Sequence, residues 1–177
     1  MLSRHSRATR ALPIAIVLLA SSLPGRSFAQ RPQEQPDASH ILHDMEKLPV
    51  VGSVLYIAAH PDDENTKLIA WLANGKKMRT GYLSLTRGEG GQDLLGPELG
   101  DALGIIRTQE LLEARRTDGG EQFFTRAVDF GFSKNAKECL EKWGHNEVLS
   151  DVVRVIRIFR PDIIITRFPP TRKAGHG

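Results

Sequence analysis

His60-Pro61-Asp62-Asp63-Glu64 gathers one imidazole and three carboxylates into five residues. His60 and Asp63 offer one nitrogen and one oxygen, a donor mixture that suits zinc. Asp62 stands between them in sequence. Neighbours in extended chain point opposite ways, so Asp62 is expected to face the outer side of a metal-bound water while Asp63 holds the metal. That makes Asp62 a candidate general base. The plainer reading is an acidic helix N-terminus, where the helix dipole favours Asp and Glu in any case. The cluster's position favours a site: an imidazole and carboxylates directly after an apolar strand meet the criteria for an active-site candidate.

The elements around the cluster give it that position. Residues 54–59 (VLYIAA) have the length and composition of a buried strand. Pro61 cannot donate to a sheet ladder, so the strand ends at or just before it. Residues 65–73 read as a helix, with Leu68, Ile69 and Leu72 as the packing stripe and Asn74-Gly75 as a left-handed stop. A second strand follows at 82–86. Strand, helix and strand in about 30 residues make a βαβ unit, hence parallel pairing. In such open α/β sheets, ligands bind beyond the C-terminal ends of the strands.

The second strand leads into Thr86-Arg87-Gly88-Glu89-Gly90-Gly91-Gln92. Neither the dinucleotide fingerprint nor the P-loop spacing is present. The segment reads either as a surface loop or as one whose glycines admit a ligand, with Arg87 able to contact an anion or sugar hydroxyls. Residues 99–116 read as a helix with an apolar line through Leu99, Leu103 and Ile106, continued by Glu110. Arg107 and Glu110 are three apart, and a carboxylate on that line predicts a buried or cleft-facing pair. Phe123, Phe124 and Val128 suggest a strand, and Ser133 a cap for a helix through Trp143. Residues 146–160 read as a helix with Leu149, Val152, Val153 and Ile156 on one side. Residues 162–166 (DIIIT) predict a fully buried parallel strand. His40 and His43 share one face of a short helix, and His145 lies near a helix end; surface roles are expected for all three. Cys139, the single cysteine, is a helix residue without an assigned role.

Ala59-His60-Pro61-Asp62-Asp63-Glu64 resembles the signature of the PIG-L/LmbE-like N-deacetylases, zinc-dependent hydrolases of N-acetylglucosamine-type substrates. Thr86-Arg87-Gly88-Glu89-Gly90-Gly91 resembles that family's second motif. Leu103-Gly104, Arg107 and Glu110-Leu111 resemble a family helix that supports the site. The resemblance implies that His60 and Asp63 bind zinc, that Asp62 is the general base, and that Glu64, Arg107 and Glu110 support the site. His176 matches the first histidine of a Gly-His-x-x-His segment, which assists catalysis near the substrate carbonyl. The second histidine, the third zinc ligand, would lie two residues beyond Gly177. The implied fold is α/β, a Rossmann-like, mainly parallel sheet flanked by helices. The implied reaction is removal of an N-acetyl group by attack of a zinc-bound water on a small-molecule or glycan substrate, with Arg87 as a substrate contact. An end inside this motif, beside a strand, reads as an incomplete sequence. The alternative for such a fragment is a non-catalytic carbohydrate-binding domain on the same scaffold.

The N-terminus reads as an address. Arg4, Arg7 and Arg10 precede an apolar run at 11–20, and Ser27-Phe28-Ala29 offers a small-x-small cleavage site. About ten apolar residues are too few for a bilayer span of about 20. Residues 1–29 are therefore expected to be a cleaved export signal, leaving no stable membrane span and a periplasmic or extracellular protein. Residues 30–47 form a linker and a short helix, and residues 48–177 the catalytic domain. The chain holds 24 basic and 21 acidic residues, and residues 1–29 contain four Arg and no acid. The remainder is 20 minus 21, or −1, which leaves no electrostatic case for a nucleic-acid partner.

Overall fold

The computed structural model describes residues 35–133 and 135–168. The expected export signal and His176 lie outside the described residues. Every element belongs to one compact unit, Asp37–Gly177. The order is α1 (Ala38–Lys47), β1 (Ser53–Ala58), a 3-10 turn (Pro61–Asp63), α2 (Thr66–Ala70), a π-helical turn (Trp71–Gly75), β2 (Arg79–Ser84), α3 (Asp101–Asp118), β3 (Glu121–Phe124), α4 (Ala136–Trp143), α5 (His145–Phe159) and β4 (Ile163–Thr166).

The four strands form one sheet in the order β3-β2-β1-β4. All pairings are parallel, with Ser53 opposite Arg79, Val54 opposite Ile163 and Gly81 opposite Glu121. This is the predicted α/β, Rossmann-like arrangement with helices on both faces. Leu55 and Leu83 pack with Val155 and Phe159 of α5 on one face; Tyr56, Ala58 and Tyr82 pack with Ile69 of α2 and Leu111 of α3 on the other. β1 is central and covered on both sides, which is why it reads as an unbroken apolar run. The chain steps from β1 to β2 to β3 in one direction, then crosses back to lay β4 on the far side of β1. The order therefore reverses at β1, and the crevice beyond its C-terminal end is the topological switch point.

Several expectations are corrected. β2 starts at Arg79 rather than 82, because Thr80 and Gly81 already pair with β1. Thr86 lies past the strand and ties back to Ala59 through its N–H (3.0 Å) and its hydroxyl (3.1 Å). The helix after the cluster widens into the π turn, so Gly75 stays helical against the Trp71 ring and the left-handed residue is Lys77, φ 60°. Lys77 Nζ then meets His43 Nδ1 (2.7 Å) and Glu46 (2.8 Å) on α1. The α4 N-cap is Asn135, whose side chain accepts from Lys137 N–H; the Ser133 hydroxyl binds Glu138 instead. The buried face of α5 is Val148, Asp151, Val155 and Phe159, with Leu149 exposed; the apolar line read from sequence is rotated by about one residue. β4 is not fully buried: Ile163 is 50% and Ile164 46% exposed. It pairs only with β1 among the described strands, so its second edge has no partner there. No helix among the described residues is long and apolar enough to cross a membrane.

Candidate active site

β1 delivers His60 to the switch point, and the next three residues decide where each side chain points. Pro61 opens a 3-10 turn over Pro61–Asp63, as its fixed φ favours. Such a turn has 3.0 residues per turn, so side chains three apart eclipse. His60 and Asp63 therefore stack on one side, locked by a reciprocal cap: His60 N–H donates to Asp63 Oδ2 (3.1 Å) and Asp63 N–H to the His60 carbonyl (3.2 Å). Asp62, one third of a turn away, points out and is 74% exposed. The two aspartates diverge as expected, but through a tight turn rather than the alternation of extended chain.

Two tyrosines hold the turn from beneath. Tyr82 Oη donates to the His60 carbonyl at 2.5 Å, and Tyr56 Oη reaches the Asp63 carbonyl at 3.5 Å. Burial pushes the Tyr82 phenol well above its ordinary pKa, which keeps it a donor. Glu64 turns back into the molecule and pairs with Arg115 of α3 (Oε2–Nη2 2.5 Å). Arg115 also forks onto Asp118 (3.1 and 2.5 Å) and lies over the Tyr82 ring. Burial raises the Glu64 carboxyl above its ordinary pKa, with Arg115 opposing.

His60 Nδ1 lies 3.3 Å from Asp63 Oδ2, and its Nε2 lies 3.7 Å from Asp129 Oδ1. The hydrogen bond to Asp63, with Asp129 and Asp62 nearby, raises the His60 pKa against the opposing effect of burial. Burial pushes the Asp63 carboxyl up, but hydrogen bonds from the His60 ring and backbone outweigh it and leave the pKa below the ordinary value. Two tetrahedral zinc ligands at about 2.0–2.1 Å stand roughly 3.3 Å apart. The Nδ1–Oδ2 separation thus matches one edge of such a site. Among the described residues, no group of three or more His, Cys, Asp or Glu converges to complete it.

Two further loops close on the turn. Glu89 Oε2 accepts from the N–H of Arg87 (3.2 Å) and of Asp129 (3.1 Å), stitching the glycine-rich loop to the loop after β3. A Cβ on Gly90 would lie 2.2 Å from Gly131 N, so only glycine permits this approach. Arg87 does not join the cluster: it donates to the Thr125 carbonyl (3.3 Å) and covers the Phe124 ring. The guanidinium beside Asp62 is that of Arg107, at 3.9 Å. The expected Arg107–Glu110 pair is absent, because Glu110 is exposed and the buried line of α3 runs through Leu103, Gly104, Leu111, Arg115 and Asp118. Sequence reasoning missed Tyr82, Glu89, Arg115 and Asp129. An Arg and an Asp three apart at the end of a helix, Arg115 and Asp118, were the one legible hint.

Residues 55–177 match the PIG-L family, described as GlcNAc-PI de-N-acetylase. A 1D-myo-inositol 2-acetamido-2-deoxy-alpha-D-glucopyranoside deacetylase of Kineococcus radiotolerans is 30% identical over 159 residues, covering 76% of this chain and 44% of that protein. A mycothiol S-conjugate amidase of Streptomyces coelicolor is 31% identical over 127 residues, covering 64% of this chain and 43% of that protein. The chain thus spans less than half the length of these two relatives. Among solved structures, N,N'-diacetylchitobiose deacetylase from Pyrococcus horikoshii is 18% identical with a TM-score of 0.49, covering 75% of this chain and 50% of that one. A 4-carboxy-2-hydroxymuconate hydratase from Pseudomonas putida is 20% identical with a TM-score of 0.49, covering 64% and 46%. Neither structural likeness bears on the chemistry, and the fold rests on the sheet itself. The family match opens inside β1, runs through every residue of the clustered turn and takes in more than two thirds of the chain: this protein belongs to the PIG-L family.

Proposed function

We propose that the protein is a zinc-dependent N-deacetylase that removes the acetyl group from an N-acetylglucosamine-type substrate. The observation that carries this reading is the His60–Asp63 edge, 3.3 Å between donors, with the Asp62 carboxylate exposed beside it at the switch point. The two relatives named above are an acetamido-sugar deacetylase and an amidase, which supports amide hydrolysis as the reaction class. His60 and Asp63 would hold the metal, with any further ligand lying outside the described residues. Bound there, zinc would supply a Lewis acid for the amide carbonyl and would make water more acidic.

The protein's own groups do the rest. Asp62 takes the proton of the attacking water. Arg107 Nη2 lies 3.9 Å from Asp62 Oδ2, a cation beside the carboxylate that faces the crevice. His176, outside the described residues, carries the protonated imidazole that stabilises the oxyanion and returns a proton to the leaving amine. Glu64 acts at one remove, through Arg115, by fixing the turn against α3.

Replacing Asp62 by Ala tests the assignment. Turnover of an N-acetylglucosamine conjugate falls by at least about 10²–10⁴-fold, the usual contribution of a general base. Zinc binding, read by equilibrium dialysis, stays within about threefold, since Asp62 is not on the donor edge. Retained turnover removes Asp62 as the base. Absence of amide hydrolysis from the wild-type protein, together with binding of amino sugars, leaves a carbohydrate-binding domain on this scaffold as the better reading.

A further inference from the structure

Asp129 has no part in the chemistry assigned above, yet its carboxylate is buried, the side chain being 7% exposed. Among the described residues no Lys or Arg pairs with it. Its one ion-pair partner there is the His60 ring, Nε2 to Oδ1 at 3.7 Å. Keeping a carboxylate from water beside so few partners is costly. The loop after β3 is nevertheless fastened to hold it there. Glu89 Oε2 accepts from the Asp129 N–H (3.1 Å), and Asp129 Oδ1 accepts from the Gly131 N–H (2.9 Å). Gly90 and Gly131 pack too closely for a side chain between them. Three separate contacts thus aim one carboxylate at the far nitrogen of His60.

We propose that Asp129 is a positioning residue for the metal site: it holds the His60 ring by the Nε2–H and leaves Nδ1 bare towards Asp63. The inference rests on the metal-dependent reading proposed above. The two nitrogens of an imidazole direct their bonds away from each other. Asp129 therefore cannot share an ion held between Nδ1 and Asp63, and it is not the further ligand that such a site needs. A neutral imidazole carries one N–H, so a proton kept on Nε2 leaves the Nδ1 lone pair for the ion. A carboxylate behind the ring also makes that lone pair a better donor and fixes the ring plane. The reverse arrangement, an ion between Nε2 and Asp129 with Asp63 behind the ring, fits the distances less well. The Nδ1–Oδ2 gap of 3.3 Å matches the roughly 3.3 Å edge of a tetrahedral zinc site, whereas the Nε2–Oδ1 gap of 3.7 Å is wider. At 3.7 Å the contact also exceeds hydrogen-bond length, and it is expected to shorten to one once the ring is held from the Asp63 side as well.

The test is a zinc titration of the 177-residue protein with nitrogen-15-labelled histidine. Equilibrium dialysis reads the affinity, and NMR of the His60 ring reads where its proton sits. The chain has six histidines, and His60→Gln identifies the signals of this one. In the wild type, zinc is expected to shift Nδ1 while Nε2 keeps its proton in slow exchange with water. Asp129→Asn keeps the side chain's size and an oxygen for the Gly131 N–H. It is expected to weaken zinc binding about 10–100-fold and to release the Nε2 proton to fast exchange or to Nδ1. A merely structural role for Asp129 lowers the melting temperature without moving that proton. Should Asp129→Asn fail to fold, the wild-type spectra still decide, because they show which nitrogen carries the proton. Zinc affinity within about threefold of wild type in Asp129→Asn with the Nε2 proton undisturbed, or a zinc shift on Nε2 in place of Nδ1, overturns the positioning role and leaves the deacetylase reading intact. No zinc-dependent change at either ring nitrogen of the wild type overturns both.

Discussion

Three consecutive residues, Pro61, Asp62 and Asp63, each take their own direction because they form a 3-10 turn. Residue types were enough to single out His60, Asp62 and Asp63 from sequence. Their supports were not legible, since Glu64 finds its partner Arg115 on a helix that begins only at Asp101. Glu110 was read onto the apolar line because its spacing from Leu103 and Ile106 is helical; the true buried line lies one residue over and carries charge at Arg115 and Asp118, which no apolar pattern reveals. Replacing Arg115 by Met leaves Glu64 and Asp118 buried without their cation, an expected loss of about 3–5 kcal/mol in urea unfolding. Lys is a poor substitute, because it cannot fork onto two carboxylates. A second buried acid gives a pH prediction. Arg126 holds the Asp151 carboxyl down from 3.8 to about 2, through its side chain and its backbone N–H. The folded pKa is the lower one, so the unfolded chain binds the proton first as pH falls. The stabilisation is complete above about pH 4–5 and is lost as pH falls from there towards 2. Arg126 is 63% exposed, so solvent screens the pair and keeps its contribution modest. Asp151→Asn therefore lowers the melting temperature at pH 7 and flattens its pH dependence below pH 5.

Elements were more legible than their edges and faces. β1, the helix behind the cluster, α3 and α5 were all anticipated, because each carries a strong apolar period. Strand β2 was read short because Gly81 breaks the β-branched pattern, although a side chain there would meet Phe159, Leu55 and Phe123. The burial of β4 was overestimated because a run of isoleucines reports β propensity, not the number of neighbours a strand finds. The loops were the least legible, since their order comes from contacts between them. The glycine-rich loop and the loop after β3 approach until Gly90 and Gly131 leave no room for a side chain. In Gly90→Ala the new Cβ meets backbone at 2.2 Å, and backbone cannot swing aside as a side chain can. One loop must move, and Asp129, bonded through its N–H to Glu89, moves from His60 with it. The expected cost is about 1–3 kcal/mol of stability. Gly91→Ala is the control: its Cβ finds the nearest atom at 3.3 Å, and its thermal shift is smaller.

For the whole molecule, the sheet order 3-2-1-4 explains why this set of residues meets at all. β1 sits at the reversal, so the loop after it is exposed to the crevice on one side and braced by α3 on the other. Parallel pairing, helical faces and the place of the cluster followed from a single βαβ unit read in sequence. The full ligand set did not, because two donors, His60 and Asp63, are all that the described residues bring to the edge. Loss of a group that only hydrogen-bonds a metal ligand costs about 10–100-fold in metal affinity, and loss of a ligand itself costs more. On these two donors the 177-residue chain is expected to bind zinc weakly, and a chain extended by an engineered tail that places a histidine two residues past Gly177 to bind it stoichiometrically. Zinc content after dialysis, measured on both forms, is the comparison to make. If zinc content and amidase activity rise together with the added histidine, His60 and Asp63 are two of three ligands. If the extended form binds no more zinc than the shorter one, the His60–Asp63 edge is a capping interaction of the 3-10 turn, and the metal-dependent mechanism is wrong.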